Sequence, residues 1–142
     1  ADLSASGRKQ VLHALAELAE RTLGVDARPV LEAVMERERL GSTGVGEGVA
    51  IPHARSPLVD SVYGVFARLK TPVDFDAIDG RPADLVFMLL APEESGAEHL
   101  KALARVSRLF RRDEVREALR MAPDAAALHA ILSGAETRTD AA

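Results

Sequence analysis

The sequence predicts an α/β fold in a single domain, with a β-sheet flanked by helices on both faces. Three observations predict it. Segments with apolar residues spaced by three and four alternate along the chain with short β-branched runs. One apolar run, Leu85-Val86-Phe87-Met88-Leu89-Leu90-Ala91, has no polar alternation, as expected of a strand covered by helices on both sides. The 142 residues hold no internal repeat and no linker long enough to divide them, and that length suffices to bury one core.

Residues 1–6 are too short to assign, and Leu3 could end a clipped strand. Over 7–23 the spacing of Val11, Leu15, Leu18 and Thr22, with Leu12 and Ala19 beside them, predicts a helix. Ser4 or Ser6 could cap it, and Gly24 closes it. Asp26 is placed to cap a second helix, which tolerates Pro29 in its first turn. That helix runs to about Arg39 and buries Val30, Val34 or Leu31 with Met35. Its last turn, Arg37-Glu38-Arg39, puts cations at the negative helix end, and Gly41 stops it.

A glycine-rich turn and a strand over 49–51 follow. A further strand over 62–69 points Tyr63, Val65, Ala67 and Leu69 one way and Val62, Phe66 and Arg68 the other, until Thr71-Pro72 breaks it. Residues 73–78 read as short and extended, and Asp79-Gly80 as a turn. Pro92 ends the strand over 85–91. Ser95-Gly96-Ala97-Glu98 has capping-box spacing and opens a helix to about Arg111. One face of it carries His99, Leu103, Val106 and Phe110; another carries Lys101, Arg105 and Arg108, with Arg112 beyond. Asp113 caps a short helix through Met121. Pro123-Asp124 starts the last one, which ends at Leu132 before Ser133-Gly134. The expected domain is 1–134, with 135–142 a disordered tail.

Hydrophobic residues make up 47% and charged residues 28%, a globular balance. A net charge of −4 argues against duplex nucleic acid as partner. The absence of cysteine excludes disulfides, thiolate zinc sites and cysteine nucleophiles, and fits a reducing compartment. No apolar run approaches the ~20 residues of a membrane-spanning helix, and no basic-then-apolar leader opens the chain. The expected location is the cytoplasm, with no direct membrane insertion.

The stretch Gly44-Val45-Gly46-Glu47-Gly48-Val49-Ala50-Ile51-Pro52-His53-Ala54-Arg55 concentrates the chemistry. Glycines permit tight turns, and Pro52 stiffens the approach to a single imidazole. Histidine is a nucleophile, acid, base or metal ligand near neutral pH, yet a histidine after such a turn can also simply fill space. His99 sits in the first turn of its helix on the apolar face. It is either a satisfied core histidine or part of an anion site, and the helix N-terminus favours its neutral form. Arg37 is either solvated at its helix end or folded back toward His53. His13 and His129 read as surface or structural residues, and the basic stripe as a solvated face or an acidic partner's docking surface.

Other chemistries lack their motifs. The glycine spacing is neither G-x-G-x-x-G nor a phosphate loop followed by lysine, and no H-E-x-x-H or G-x-S-x-G is present. A metal site from His53, His99 and Glu98 or Asp79 is an alternative to weigh.

Three blocks in order, Gly44 to Arg55, Phe75-Asp76-Ala77-Ile78-Asp79-Gly80 and His99-Leu100-Lys101-Ala102-Leu103-Ala104, resemble the enzyme IIA domains of the phosphoenolpyruvate-dependent phosphotransferase system, of fructose/mannitol and nitrogen-regulatory type. The resemblance covers about residues 3–133. It implies a mixed sheet between helices and a phosphocarrier that needs neither metal nor cofactor. It assigns His53, through Nε2, as acceptor of a phosphoryl group from a histidine-containing phosphocarrier protein. It places His99 beside His53 and makes Arg37 an assisting cation. Gly41-Ser42-Thr43-Gly44 looks more like the nitrogen-regulatory branch, whose members act on target proteins, including potassium transport and sensor-kinase partners. A sugar-specific, fructose-type component passing phosphate to a separate B domain is the rival. Ala54-Arg55 replaces the commoner Gly-Lys. A binding module without phosphotransfer and a metal-dependent hydrolase complete the alternatives.

Overall fold

The unalternating run lies within strand β6 (Ala83–Pro92), and the sheet is laid around it. The structure is a computed structural model describing the backbone of residues 2–3, 7–94 and 96–141, and the side chains of 7–94 and 96–134. In chain order the elements are β1 (Asp2–Leu3), α1 (Arg8–Leu23), α2 (Ala27–Leu40), β2 (Gly44–Gly46), β3 (Val49–Ala50), β4 (His53–Ser56), β5 (Tyr63–Val73), β6, α3 (Ala97–Phe110), α4 (Asp113–Met121) and α5 (Ala125–Ala141). The strand order is β1-β5-β6-β3-β2, with β4 also paired to β6. β5 runs antiparallel to β6, whereas β3 and β4 run parallel to it, so the sheet is mixed as the resemblance implied.

Two apolar layers explain why β6 shows no alternation. On one face Val86, Met88 and Leu90 pack with Val65, Ala67 and Leu69 of β5 and with Val11, Leu15, Ala19, Val30 and Val34 of α1 and α2. On the other, Leu85 and Phe66 pack with Leu109, Phe110, Val115, Leu119 and Leu128 of α3, α4 and α5. Each side chain of the strand's centre therefore meets an apolar layer, and water selects no polar face. Helices cover both faces as expected, and the two-way division of β5 holds as read from the sequence.

Helix ends mostly follow their signals. Gly24 closes α1 in the left-handed conformation (φ 76°), its N–H bonding the Glu20 carbonyl. Asp26 occupies the cap position of α2 but makes no side-chain cap; Glu20 Oε1 accepts the Ala27 N–H instead, at 3.1 Å. Asp124 Oδ1 caps α5 through the Ala127 N–H at 2.8 Å. Ser4, Ser6 and Ser95, the caps named for α1 and α3, lie outside the described side chains. The residue at the α3 cap position is Gly96, at φ 55°.

Three expectations are corrected. Thr71-Pro72 does not end β5, which continues to Val73 through a register irregularity between Arg68 and Val73. Proline is tolerated there because the ladder is already interrupted. Residues 73–78 accordingly form no separate strand. Asp76 turns at φ 55° with its N–H on Asp74 Oδ1, and Phe75 is fully buried beneath this loop. Finally, α5 passes through Ser133-Gly134, so the helix stop expected there is not seen. A glycine inside a helix costs about 1 kcal/mol relative to alanine but does not by itself end the helix.

Gly64 on β5 allows the Phe87 ring of β6 to lie across it: a Cβ there would come within 2.2 Å of the ring. Gly64→Ala should therefore destabilise the fold by about 1–3 kcal/mol through overpacking, read as a lowered urea midpoint with an unchanged slope.

Candidate functional site

The site is built where the chain passes from β3 to β4. Gly48 turns at φ 77°, and its carbonyl accepts the N–H groups of Asp84 and Leu85 at 3.0 and 3.1 Å, which ties the turn to the start of β6. Asp79 Oδ2 accepts the Glu47 N–H at 2.9 Å. That bond and a second from the Arg81 N–H hold the Asp79 carboxyl below the usual carboxylate range. The Gly44 N–H is likewise taken, by Ser42 Oγ at 3.0 Å. These two turn donors are committed to the fold.

Downstream, the Ile51 N–H donates to the Thr43 carbonyl at 2.9 Å, and the Pro52 carbonyl accepts the Leu89 N–H at 2.9 Å. The peptide between them is thus clamped on both sides. The Ile51 carbonyl faces His53 Nδ1 at 2.9 Å. A carbonyl only accepts, so Nδ1 carries the proton and, in the neutral ring, Nε2 keeps its lone pair. His53 is 9% exposed and opens β4, opposite Leu89 of β6.

His99, the third residue of α3, is 7% exposed. Its ring centroid stands 5.4 Å from that of His53, with the planes 49° apart. Its Nδ1 is buried and has no hydrogen-bond partner among the described residues. Burial lowers the pKa of both rings. For His53 the Ile51 carbonyl opposes this shift, while the charge of Arg37 adds to it and that of Glu38 opposes it. For His99 the charges of His53, Arg55 and Arg37 add to burial. Both imidazoles are therefore held neutral. His99 is neutral as its place at a helix N-terminus led one to expect, and burial is the largest of the causes that act on it here.

Arg37 donates Nη1 to the Gly41 carbonyl at 3.0 Å, closing the end of α2, and makes no ion pair among the described residues. Its charge nevertheless reaches both imidazoles. His53 and His99, far apart in sequence, are brought together, and Arg37 acts on both through its charge. The other singled-out groups do not join them. His13 pairs with Glu17 on the surface of α1, and His129 is exposed on α5. Lys101 lies 3.8 Å from Glu98, and Arg112 bonds Glu114, as on a solvated face. Among the described residues no group of three His, Asp or Glu side chains could hold a metal ion, and no helix is long and apolar enough to cross a membrane.

Three residues near the site were not singled out as site residues from the sequence. Arg55 follows His53 by two on β4 and so shares its strand face; it is exposed. Glu38 has only 7% of its side chain exposed and accepts from Arg8 Nη1 at 3.5 Å. The hydroxyl of buried Thr43 donates to its other oxygen. A glutamate between two arginines reads as a surface charge, and nothing in the spacing says that a loop threonine reaches back to it.

Fold and site together place the molecule in a class of mixed-sheet proteins with paired buried imidazoles at a strand end. Residues 1–135 match the family described as the phosphoenolpyruvate-dependent sugar phosphotransferase system, EIIA 2, and the chain belongs to that family. Within it, the chain is 48% identical to a nitrogen regulatory protein of Bradyrhizobium diazoefficiens over 131 residues, covering 92% of this chain and 86% of the relative. A nitrogen regulatory protein of Pseudomonas aeruginosa is 45% identical, with 88% and 82% covered. The crystal structure of nitrogen regulatory protein IIA-Ntr from Neisseria meningitidis superposes with a TM-score of 0.85 at 40% identity, covering 92% of this chain and 90% of that one.

The lowered imidazole pKa values carry a consequence for stability. Unfolded histidine titrates near 6.5, so below about that pH the unfolded chain binds protons that the folded site refuses. Stability should be fully present above pH 6.5 and fall as the pH drops below it. A His53→Gln/His99→Gln variant should lose this part of the pH dependence, measured as urea unfolding free energy between pH 7.5 and 5.

Proposed function

We propose that the protein is a phosphohistidine carrier in a nitrogen-regulatory phosphotransferase branch, with His53 Nε2 as acceptor. The observation that carries this reading is the Nδ1 bond to the Ile51 carbonyl, which leaves the nucleophilic nitrogen unprotonated in a buried, neutral ring. The donor is the phosphohistidine of a histidine-containing phosphocarrier protein. As the P–N bond to the donor imidazole breaks, the Nε2 lone pair forms the new one. The proton stays on Nδ1, donated in a hydrogen bond to the Ile51 carbonyl, so the ring gains positive charge opposite the phosphoryl dianion. Reaction of one imidazole with another is nearly balanced, and positioning with charge neutralisation supplies the catalysis.

Arg37 neutralises phosphoryl oxygens, since closing its helix end commits one donor and the guanidinium has five. His99 meets the phosphoryl group with its unpartnered nitrogen. Phosphorylation turns a neutral ring into an imidazolium bearing a phosphoryl dianion, which adds about one net negative charge and three acceptor oxygens, enough to change which partner docks. The regulatory branch is favoured by the identity to nitrogen regulatory proteins across nearly the whole chain. The targets are regulated proteins such as a potassium transporter or a sensor kinase, and the working compartment is the cytoplasm. A second reading has one observation in its favour. Over 94 residues the chain is 46% identical to the fructose-specific EIIABC component of Bacillus subtilis, of which it covers 15%. In that reading phosphate passes on to a B domain.

The test is transfer itself. With phosphoenolpyruvate, enzyme I and the carrier, one acid-labile phosphate should appear by intact mass. His53→Ala should abolish it, and Arg37→Ala and His99→Ala should each slow it by ~10²-fold. No label with any compatible carrier would overturn the proposal. Rapid onward transfer to a fructose-type B domain would favour the sugar branch.

A further inference from the structure

We propose that Glu38, acting through Thr43, is a positioning residue for His53: a buried carboxylate whose hydrogen-bonded relay holds the acceptor ring in one tautomer and one orientation. The inference rests on the reading of His53 as acceptor and adds a residue to that site.

The relay can be followed atom by atom. Arg8, at the start of α1, donates Nη1 to Glu38 Oε2 at 3.5 Å. Arg8 is itself fixed by Asp76 at 2.9 Å and lies over the Phe75 ring, 5.9 Å from its centroid. Glu38 Oε1 accepts the Thr43 hydroxyl. The Thr43 carbonyl accepts the Ile51 N–H, and the Ile51 carbonyl accepts His53 Nδ1–H, each at 2.9 Å. Three elements separated in sequence, α1, α2 and the β3–β4 connection, thus converge on one imidazole proton.

The segment between α2 and β2 is fastened residue by residue. Gly41 accepts from Arg37, Ser42 Oγ donates to the Phe75 carbonyl, and Thr43 donates to Glu38. A carboxylate this buried is costly unless both oxygens are satisfied, and here both are. A threonine whose side chain and carbonyl are both bound cannot drift, so the Ile51 peptide it holds cannot rotate. That is the precision an in-line transfer requires, because misplacement by about 1 Å can cost ~10²-fold in rate.

Glu38 also acts as a charge. The groups facing His53 are Arg37 and Glu38 from α2 and His99 from α3, with Arg55 on its own strand acting on His99. Among these Glu38 is the anion, and it favours the imidazolium that forms as phosphorus bonds to Nε2. Arg37 and Glu38 are adjacent residues with opposite effects on one ring.

The experiment is nitrogen-15 NMR of His53 in the unphosphorylated protein, beside transfer rates, for Glu38→Gln, Thr43→Val and Thr43→Ser. Glu38→Gln keeps an acceptor for Thr43 but removes the charge. Its His53 titration, and the acid limb of the transfer rate, should move to lower pH. Mere loosening of the site would admit water and move the titration upward instead. Thr43→Val should reduce the Nδ1–H tautomer and slow transfer about tenfold or more, and Thr43→Ser should restore both. Wild-type tautomer and titration in folded Glu38→Gln and Thr43→Val would overturn the relay. If Glu38→Gln does not fold, the Thr43 pair decides. The spectra need no phosphate donor, so an intact relay without phosphorylation would refute the carrier role alone, and wild-type transfer with unchanged spectra would refute the relay alone.

Discussion

The hydrogen bond between the Ile51 carbonyl and His53 Nδ1 is the constraint on which the rest of the site depends. It selects a tautomer, and with it the nitrogen that can react. The bond has value only if the Ile51 peptide is immobile. That immobility comes from Thr43 on one side and from the central strand β6, through the Pro52 carbonyl and the Leu89 N–H, on the other. β6 in turn is fixed because apolar layers close on both of its faces. A chain of causes therefore runs from the unalternating run over 85–91 to one lone pair. Pro52 contributes by restricting Ile51 to an extended conformation.

Electrostatics complete the design. The two imidazoles are buried side by side and kept neutral, so there is no charge repulsion to overcome in the resting state. Arg37 and Arg55 bring positive potential to a site whose rings carry none. Such a surplus suits an incoming dianion and opposes protonation of the nucleophile. Both effects favour the same event. The buried polar nitrogen of His99, without a partner among the described residues, is the kind of uncompensated cost that persists where a ligand repays it.

Much of this was legible beforehand, for identifiable reasons. The helices α1 and α2 followed from three-four spacing and glycine stops, and α3 from its apolar face, because burial of one stripe determines them. β6 followed from the absence of alternation. What the sequence misplaced depended on tertiary context. Pro72 was read as a break because the irregular pairing that accommodates it is a property of two strands. Ser133-Gly134 was read as a stop because glycine's effect depends on its backbone angle. In the site, His53 stood out because a glycine turn and a proline lead up to it, whereas His99 and Arg37 gained weight only from the family resemblance. Glu38 and Thr43 carried no local signal at all, since a relay across three elements has no period.

The central claim is that Nε2 of His53 accepts phosphorus because Nδ1 is engaged by Ile51. It is tested most directly by phosphorus-31 and nitrogen-15 NMR of the protein labelled in its histidines and phosphorylated by its carrier. The account predicts a single phosphohistidine, at residue 53, with phosphorus coupled to Nε2 and a proton retained on Nδ1. Phosphorus on Nδ1, or on His99, would contradict it.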